Sequence, residues 1–323
     1  MIDDSAFDNR PSVKLRVLNR LPENPEEGHG RFPSWLHRQI PRGGNLFKTD
    51  AIVKKYQLNT VCDEAKCPNR LHCYSHKTAT FLALGKACTR NCGFCDIDFT
   101  KTPVAPEHDE PERIALSVQE LGLKHVVITM VARDDLPDGG SEHMAQIIRA
   151  VREKNPGCTI EVLTSDFSGN LAAMDRVLEE KPEVFNHNIE TVRALTPKVR
   201  HKATYDRTLQ VLKHAKSSGK TDFVKSGLMV GLGETEEQVF EALKDLKEAG
   251  CDIVTIVHYL QADRRKLAVK AFVTPEQFKA YEEYGYKLGI SQMYSGPFVR
   301  SSFNANEVRL LASDKREAIS KEQ

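Results

Sequence analysis

From Thr78 onward, short apolar runs rich in β-branched residues alternate with longer stretches in which apolar positions recur every three to four residues. The short runs are Thr80 to Leu84, His125 to Val131, Thr159 to Leu163, Val184 to Ile189, Val224 to Val230 and Ile253 to Leu260, and they predict strands. The intervening stretches predict helices over Pro111 to Leu123, Ser141 to Asn155, Leu171 to Lys181, Tyr205 to Ser218, Glu236 to Ala249 and Pro275 to Leu288. Six strand-then-helix units in succession imply parallel strands joined by right-handed crossovers. A full eight-unit barrel takes about 250 residues and six units need fewer. The expected α/β fold is therefore a partial (βα)6 TIM-like barrel, with a doubly wound open sheet as the alternative. Both place a site at the C-terminal ends of the strands.

The chain ahead of the first strand has a different character. Residues 1 to about 60 are rich in proline, glycine and charge, with Pro22, Pro25, Pro33, Pro41 and the Gly43-Gly44 pair interrupting regular structure. They read as a loosely structured extension that wraps a larger body. The expected division is an N-terminal extension (1–77), a barrel (78–290) and a C-terminal segment (291–323).

A chain of 323 residues that is 40% hydrophobic can bury a substantial core, which excludes a disordered or fibrous protein. With 46 basic residues against 45 acidic ones, no global field favours nucleic acid or an anionic membrane, and neither is an expected partner. The N-terminus carries Asp3 and Asp4 and no apolar run, unlike a secretory signal or a transit peptide. No stretch is long and apolar enough to span a bilayer, so the chain reads as cytoplasmic. In that compartment thiols stay reduced, and clustered cysteines favour metal over disulfides.

Six of the eight cysteines fall in two groups of three. Cys62, Cys67 and Cys73 precede the first strand; Cys88, Cys92 and Cys95 follow it directly. Soft thiolates at short spacing on a loop can close around an iron–sulfur cluster, which normally takes four cysteines, so each group is one ligand short. Paired structural zinc sites are the alternative, although zinc ligation usually shows two-cysteine knuckles. The Cys-x3-Cys-x-Phe-Cys spacing after a barrel strand resembles that of radical S-adenosylmethionine enzymes, in which three thiolates hold a four-iron cluster whose open iron binds the cofactor. Phe94, beside Cys95, would pack against the nucleoside or simply fill core. Cys158 and Cys251, at the starts of strands, are expected to be inert buried thiols.

Polar residues mark further candidates. If the fourth predicted strand runs to Ile189, then Asn186, Asn188 and Glu190 share one face, and three polar groups turned into a barrel call for a ligand. His187 points the other way and reads as structural. Gly227 to Glu234 forms a glycine-rich segment in which Gly231 would let the backbone approach a flat base. Arg133, Asp134 and Asp135 are candidates for the site rim, while Asp138-Gly139-Gly140 reads as turn chemistry.

Together these elements resemble the lipoyl synthase family, over about Pro33 to Ala305. The resemblance rests on Val61-Cys-Asp-Glu-Ala-Lys-Cys67-Pro-Asn-Arg70, the Cys88 to Cys95 triad, Arg133-Asp-Asp135, Phe185-Asn-His-Asn-Ile-Glu-Thr191, Lys225 to Glu234, and Gly296-Pro-Phe-Val-Arg-Ser-Ser-Phe303. It implies two [4Fe–4S] clusters, one on Cys88, Cys92 and Cys95 and an auxiliary one on Cys62, Cys67, Cys73 and the hydroxyl of Ser301, with Arg300 beside it. Ser302 offers the same chemistry, and the family pattern selects Ser301. Phe94, Thr129, Asn188, Glu190, Arg200 and Gly231 would contact S-adenosylmethionine. The implied reaction inserts sulfur at carbons six and eight of an octanoyl chain on a lysine of a lipoyl carrier domain, with the auxiliary cluster as the sulfur source. Implied partners are octanoylated carriers (a 2-oxoacid dehydrogenase E2 or the glycine cleavage H protein), an electron donor such as ferredoxin or flavodoxin, and an iron–sulfur carrier. Met130, Ala132, Val257, His258, Ala262, Asp263, Phe303 and Asn304 depart from the usual family residues. The competing readings are a methylthiotransferase-like radical enzyme and a zinc-binding interaction module.

Overall fold

A computed structural model describes residues 33–36, 41 and 44–322. The expectations for residues 1–32, and for Gly43, lie outside the described residues.

Seven strands form one all-parallel sheet: β1 (Thr80–Ala83), β2 (His125–Met130), β3 (Thr159–Leu163), β4 (Val184–Asn186), β5 (Phe223–Val230), β6 (Ile253–His258) and β7 (Gln292–Gly296). They lie side by side in sequence order. A doubly wound sheet reverses its order at a switch point, and this one does not, so the partial barrel is the architecture observed. Every residue of β2, β5 and β6 is buried, as expected where helices cover one face and barrel contents the other.

The helices are α1 (Asn45–Lys55), then α2 (Glu110–Leu121), α3 (Ser141–Lys154), α4 (Leu171–Glu179), α5 (Tyr205–Ser218), α6 (Glu236–Glu248) and α7 (Pro275–Lys287), each closing one βα unit, and finally α8 (Ala305–Glu322). Their ends follow local chemistry. Proline sits in the first turn of α2, and a left-handed Gly122 ends it. Thr235 and Gln238 form a capping box on α6. Among the described residues, no helix is long and apolar enough to cross a membrane.

Three elements differ from the sequence expectation. The extension is not wholly irregular: once past Gly44 the chain forms α1, because Thr49 and Val53, one turn apart, bury against the body. The sheet gains β7, a short strand with polar residues and a terminal glycine that gives little periodic signal. Strand β4 ends at Asn186 rather than Ile189, because the Ser226 side chain takes over the ladder there. Its hydroxyl donates to the His187 carbonyl (2.9 Å) and accepts from the Ile189 N–H (3.1 Å). Glu190 then turns into the left-handed region at φ 67°.

Candidate metal and cofactor site

A cavity of about 650 Å³ lies at the C-terminal ends of the strands, lined by all six clustered cysteines together with Phe94, Thr129, Asn188, Glu190, Arg200, Arg300 and Ser301. Gly231 is not in that lining. Its backbone, at φ 100°, instead lets the Ala271 carbonyl approach so closely that a Cβ there would stand 2.8 Å from it.

Cys62 and Cys73 sit on two short helices, Val61–Glu64 and Arg70–Ser75, with Cys67 in the connection between them, and both helices are braced by side-chain contacts. Thr60 caps the first through the Asp63 N–H. The Asp63 carboxylate accepts from the Tyr74 hydroxyl (2.6 Å) and from Arg70, which also pairs with Asp50 of α1 (2.6 Å). The Asn69 amide donates to the Phe298 carbonyl (2.7 Å), fastening this loop to the C-terminal segment that carries Ser301.

The Cys88 group begins on a two-residue parallel pairing of Ala87–Cys88 with Asp98–Phe99, which folds the loop back on itself. Gly93 is held from both sides, its N–H by the Val199 carbonyl and its carbonyl by the Leu267 N–H, each at 2.9 Å. The Cys92 sulfur accepts from the His201 N–H, and the Cys88 sulfur from the Arg90 N–H. Arg90 is the anchor between them. Buried, it forks onto Asp134 and reaches Asp166 at 2.6 Å. Burial would push the Asp166 carboxyl up, but hydrogen bonds and charge from Arg90 outweigh it and hold the group at about 2.

That depressed value carries a pH prediction. A carboxyl with a lowered folded pKa contributes stability above its unfolded value near 3.9 and loses it as pH falls toward about 2, here about 2 kcal/mol. Urea midpoints of Asp166→Asn should lie below wild type at pH 5 to 7 and converge with it as pH approaches 2. A constant gap across that range would contradict the assignment.

Between the two cysteine groups lie Asn188, Glu190 and Arg200. Asn188 accepts from the Ser301 hydroxyl at 3.0 Å and also hydrogen-bonds Glu190. Burial pushes the Glu190 carboxyl up, partly opposed by the Arg200 charge and the Asn188 contact. Arg200 is held by the Thr208 hydroxyl (2.6 Å) and the Ile189 carbonyl (3.4 Å). Asn186, expected on the same ligand face, is elsewhere: its amide donates to Glu161 at 2.9 Å inside the barrel. His187, expected to point the other way, also lines the cavity, while its ring bonds the Thr164 carbonyl and the Thr208 hydroxyl.

The rim candidates are fasteners rather than lining. Arg133 is buried and holds Asp135 and the Leu84 carbonyl, and Asp134 serves Arg90. Cys158 and Cys251 are buried, and burial pushes both thiols up. Sequence reasoning passed over Arg90, Asn69 and Lys225, although each lies inside or beside a motif singled out for other residues.

The donor set fits iron–sulfur clusters. Burial pushes the thiols of Cys62 and Cys92 up, and that of Cys95 to about 12, so a cationic centre is what would draw them to the thiolate form.

Comparison with known proteins agrees with the geometry. The radical SAM superfamily profile matches residues 82–246, and that of the N-terminal domain of lipoyl synthase matches residues 8–67. The lipoyl synthase of Protochlamydia amoebophila is 60% identical over 96% of this chain and 99% of its own length. That of Chlamydia muridarum is 52% identical over 90% and 94%. Among solved structures, methylornithine synthase superposes with a TM-score of 0.51 at 14% identity, covering 74% of this chain and 73% of its own, which is a likeness of fold.

Proposed function

This chain belongs to the lipoyl synthase family of radical SAM enzymes, and from that premise we propose that the cavity at the C-terminal ends of the strands serves both clusters and the substrate. The reaction is insertion of two sulfur atoms at carbons six and eight of an octanoyl chain on a lysine of a lipoyl carrier domain. Iron–sulfur chemistry and S-adenosylmethionine are the cofactors. We assign one [4Fe–4S] cluster to Cys88, Cys92 and Cys95, and a second to Cys62, Cys67, Cys73 and Ser301. One observation carries this assignment: Ser301, from the far end of the chain, opens on the same cavity as both cysteine groups. The three-domain division follows it, with residues 1–77 and 291–323 each supplying ligands to the second cluster around the barrel of 78–290, whose sheet β7 of the C-terminal segment completes.

When bound, the first cluster and S-adenosylmethionine supply an electron and a carbon-centred radical, and the second cluster supplies sulfur. The chain's own residues do the placing. Glu190, Asn188 and Arg200 present polar groups to the cofactor from the end of β4 onward, and Thr129 and Phe94 complete that wall. Met130, Val131, Leu163, Met229 and Val257 line the cavity with apolar surface that excludes water and suits an alkyl chain. The carriers proposed are a 2-oxoacid dehydrogenase E2 or a glycine cleavage H protein, with ferredoxin or flavodoxin as electron donor and an iron–sulfur carrier to rebuild the second cluster. A cytoplasmic setting suits this chemistry.

The deciding experiment is anaerobic incubation of the reconstituted protein with dithionite, S-adenosylmethionine and an octanoyl-lysyl peptide, followed by mass spectrometry. A product with two added sulfurs is expected, lighter by two hydrogens once its disulfide closes. A methylthio product would favour the rival radical chemistry. For the cofactor wall, Glu190→Ala should weaken S-adenosylmethionine binding by the value of a hydrogen bond to a charged group, about 1.5 to 3 kcal/mol. Calorimetry showing wild-type affinity, with the first cluster intact, would remove Glu190 from that role.

A further inference from the structure

Lys225 lies on β5, and its side chain runs through the barrel interior with almost no exposure. Its ammonium group has three hydrogen-bond partners: both oxygens of Glu161 (2.9 and 3.1 Å) and the backbone carbonyl of Ser301 (2.6 Å). An ammonium has three N–H groups, so this arrangement uses all of them. Glu161, equally buried, also accepts from Asn186 at 2.9 Å and faces His125 at 3.7 Å. An ion pair of this kind is expensive to bury and is weak evidence for stability alone. Here one arm reaches out of the pair to a residue 76 positions away in the chain.

The same strand prepares the place where Ser301 sits. Gly227, two residues on and on the same face as Lys225, has no Cβ where one would stand 2.6 Å from the Ser301 hydroxyl and 2.7 Å from the Asn188 oxygen. Ser301 is thus fixed at two atoms, the carbonyl by Lys225 and the hydroxyl by Asn188.

We propose that Lys225, held by Glu161, is a positioning residue that fixes the backbone of Ser301 so that its hydroxyl is presented to the second cluster. This rests on the assignment of Ser301 as a ligand. Lys225 touches neither substrate nor cofactor and acts through Ser301.

The test is the rate at which a chelator removes iron from the anaerobically reconstituted full chain. Lys225→Met with Glu161→Gln removes the tether without leaving a buried charge unpaired. It should keep the irons of the first cluster and release those of the second at least about tenfold faster than wild type, the scale of one lost hydrogen bond. Adding Ser301→Ala should bring little further acceleration, because both changes remove one interaction. If the double variant fails to fold, Lys225→Gln with Glu161→Gln is read the same way, since the glutamine side chain is uncharged and one bond shorter than lysine and cannot span to the Ser301 carbonyl while holding its partner on β3. Wild-type release from a folded Lys225 variant, when Ser301→Ala alone accelerates it, overturns the tether. If Ser301→Ala itself has no effect on release, the ligand assignment beneath it has failed instead.

Discussion

Replacing Cys62, Cys67 and Cys73 with alanine is expected to halve the iron of the reconstituted protein, from about eight atoms to about four. It should abolish sulfur insertion while reductive cleavage of S-adenosylmethionine persists. The complementary change at Cys88, Cys92 and Cys95 should remove the other half of the iron together with all cleavage. The asymmetry follows from the proposed ligand sets: Cys62, Cys67 and Cys73 would take Ser301 as a fourth donor, whereas Cys88, Cys92 and Cys95 would remain three donors only and leave room for the cofactor. The two loops are also braced separately, one by the Asp63, Arg70 and Tyr74 contacts and the other by Arg90 on Asp134 and Asp166. Each triple variant should therefore fold and lose one cluster. Full iron content together with sulfur insertion in the first variant would dispose of the two-cluster assignment.

The second large effect is expected at Ser301. An oxygen donor is harder than thiolate and matches sulfide-bridged iron poorly, so it should leave the metal more readily. Ser301→Cys places a soft donor on a backbone already fixed at its carbonyl by Lys225. This variant should retain its second cluster at least as firmly as wild type. Lipoyl product should form at least about tenfold more slowly, corresponding to about 1.4 kcal/mol of added barrier, with 5′-deoxyadenosine still produced. Iron analysis and product quantification on the same sample decide the matter. A Ser301→Cys protein that makes lipoyl product at the wild-type rate would refute a labile role for the serine.

Six βα units and both cysteine groups were legible in the amino-acid order because each is a local property. A strand of a covered parallel sheet declares itself by a run of Val, Ile and Thr, and a three-cysteine loop by chemistry and spacing. The seventh strand was not legible, since Gln292-Met-Tyr-Ser-Gly296 takes its strand state from pairing with β6 rather than from its own propensity. Nor was the early end of β4, which depends on the Ser226 hydroxyl from the neighbouring strand.

The site divides in the same way. Which residues can bind iron is a matter of side-chain type, so the sequence by itself determined the candidate soft donors and their two groups, and the family pattern pointed to Ser301. Whether those donors meet was decided only by the tertiary structure. Residues 62 and 301 come to one cavity because the parallel sheet brings every strand's C-terminal end to one side, and because Asn69 and Lys225 tie the two distant segments to it. The physical reason is that hydrogen bonds such as these join groups far apart in the chain. Burial makes each of them consequential, and no local pattern records which partner a buried lysine or asparagine will find.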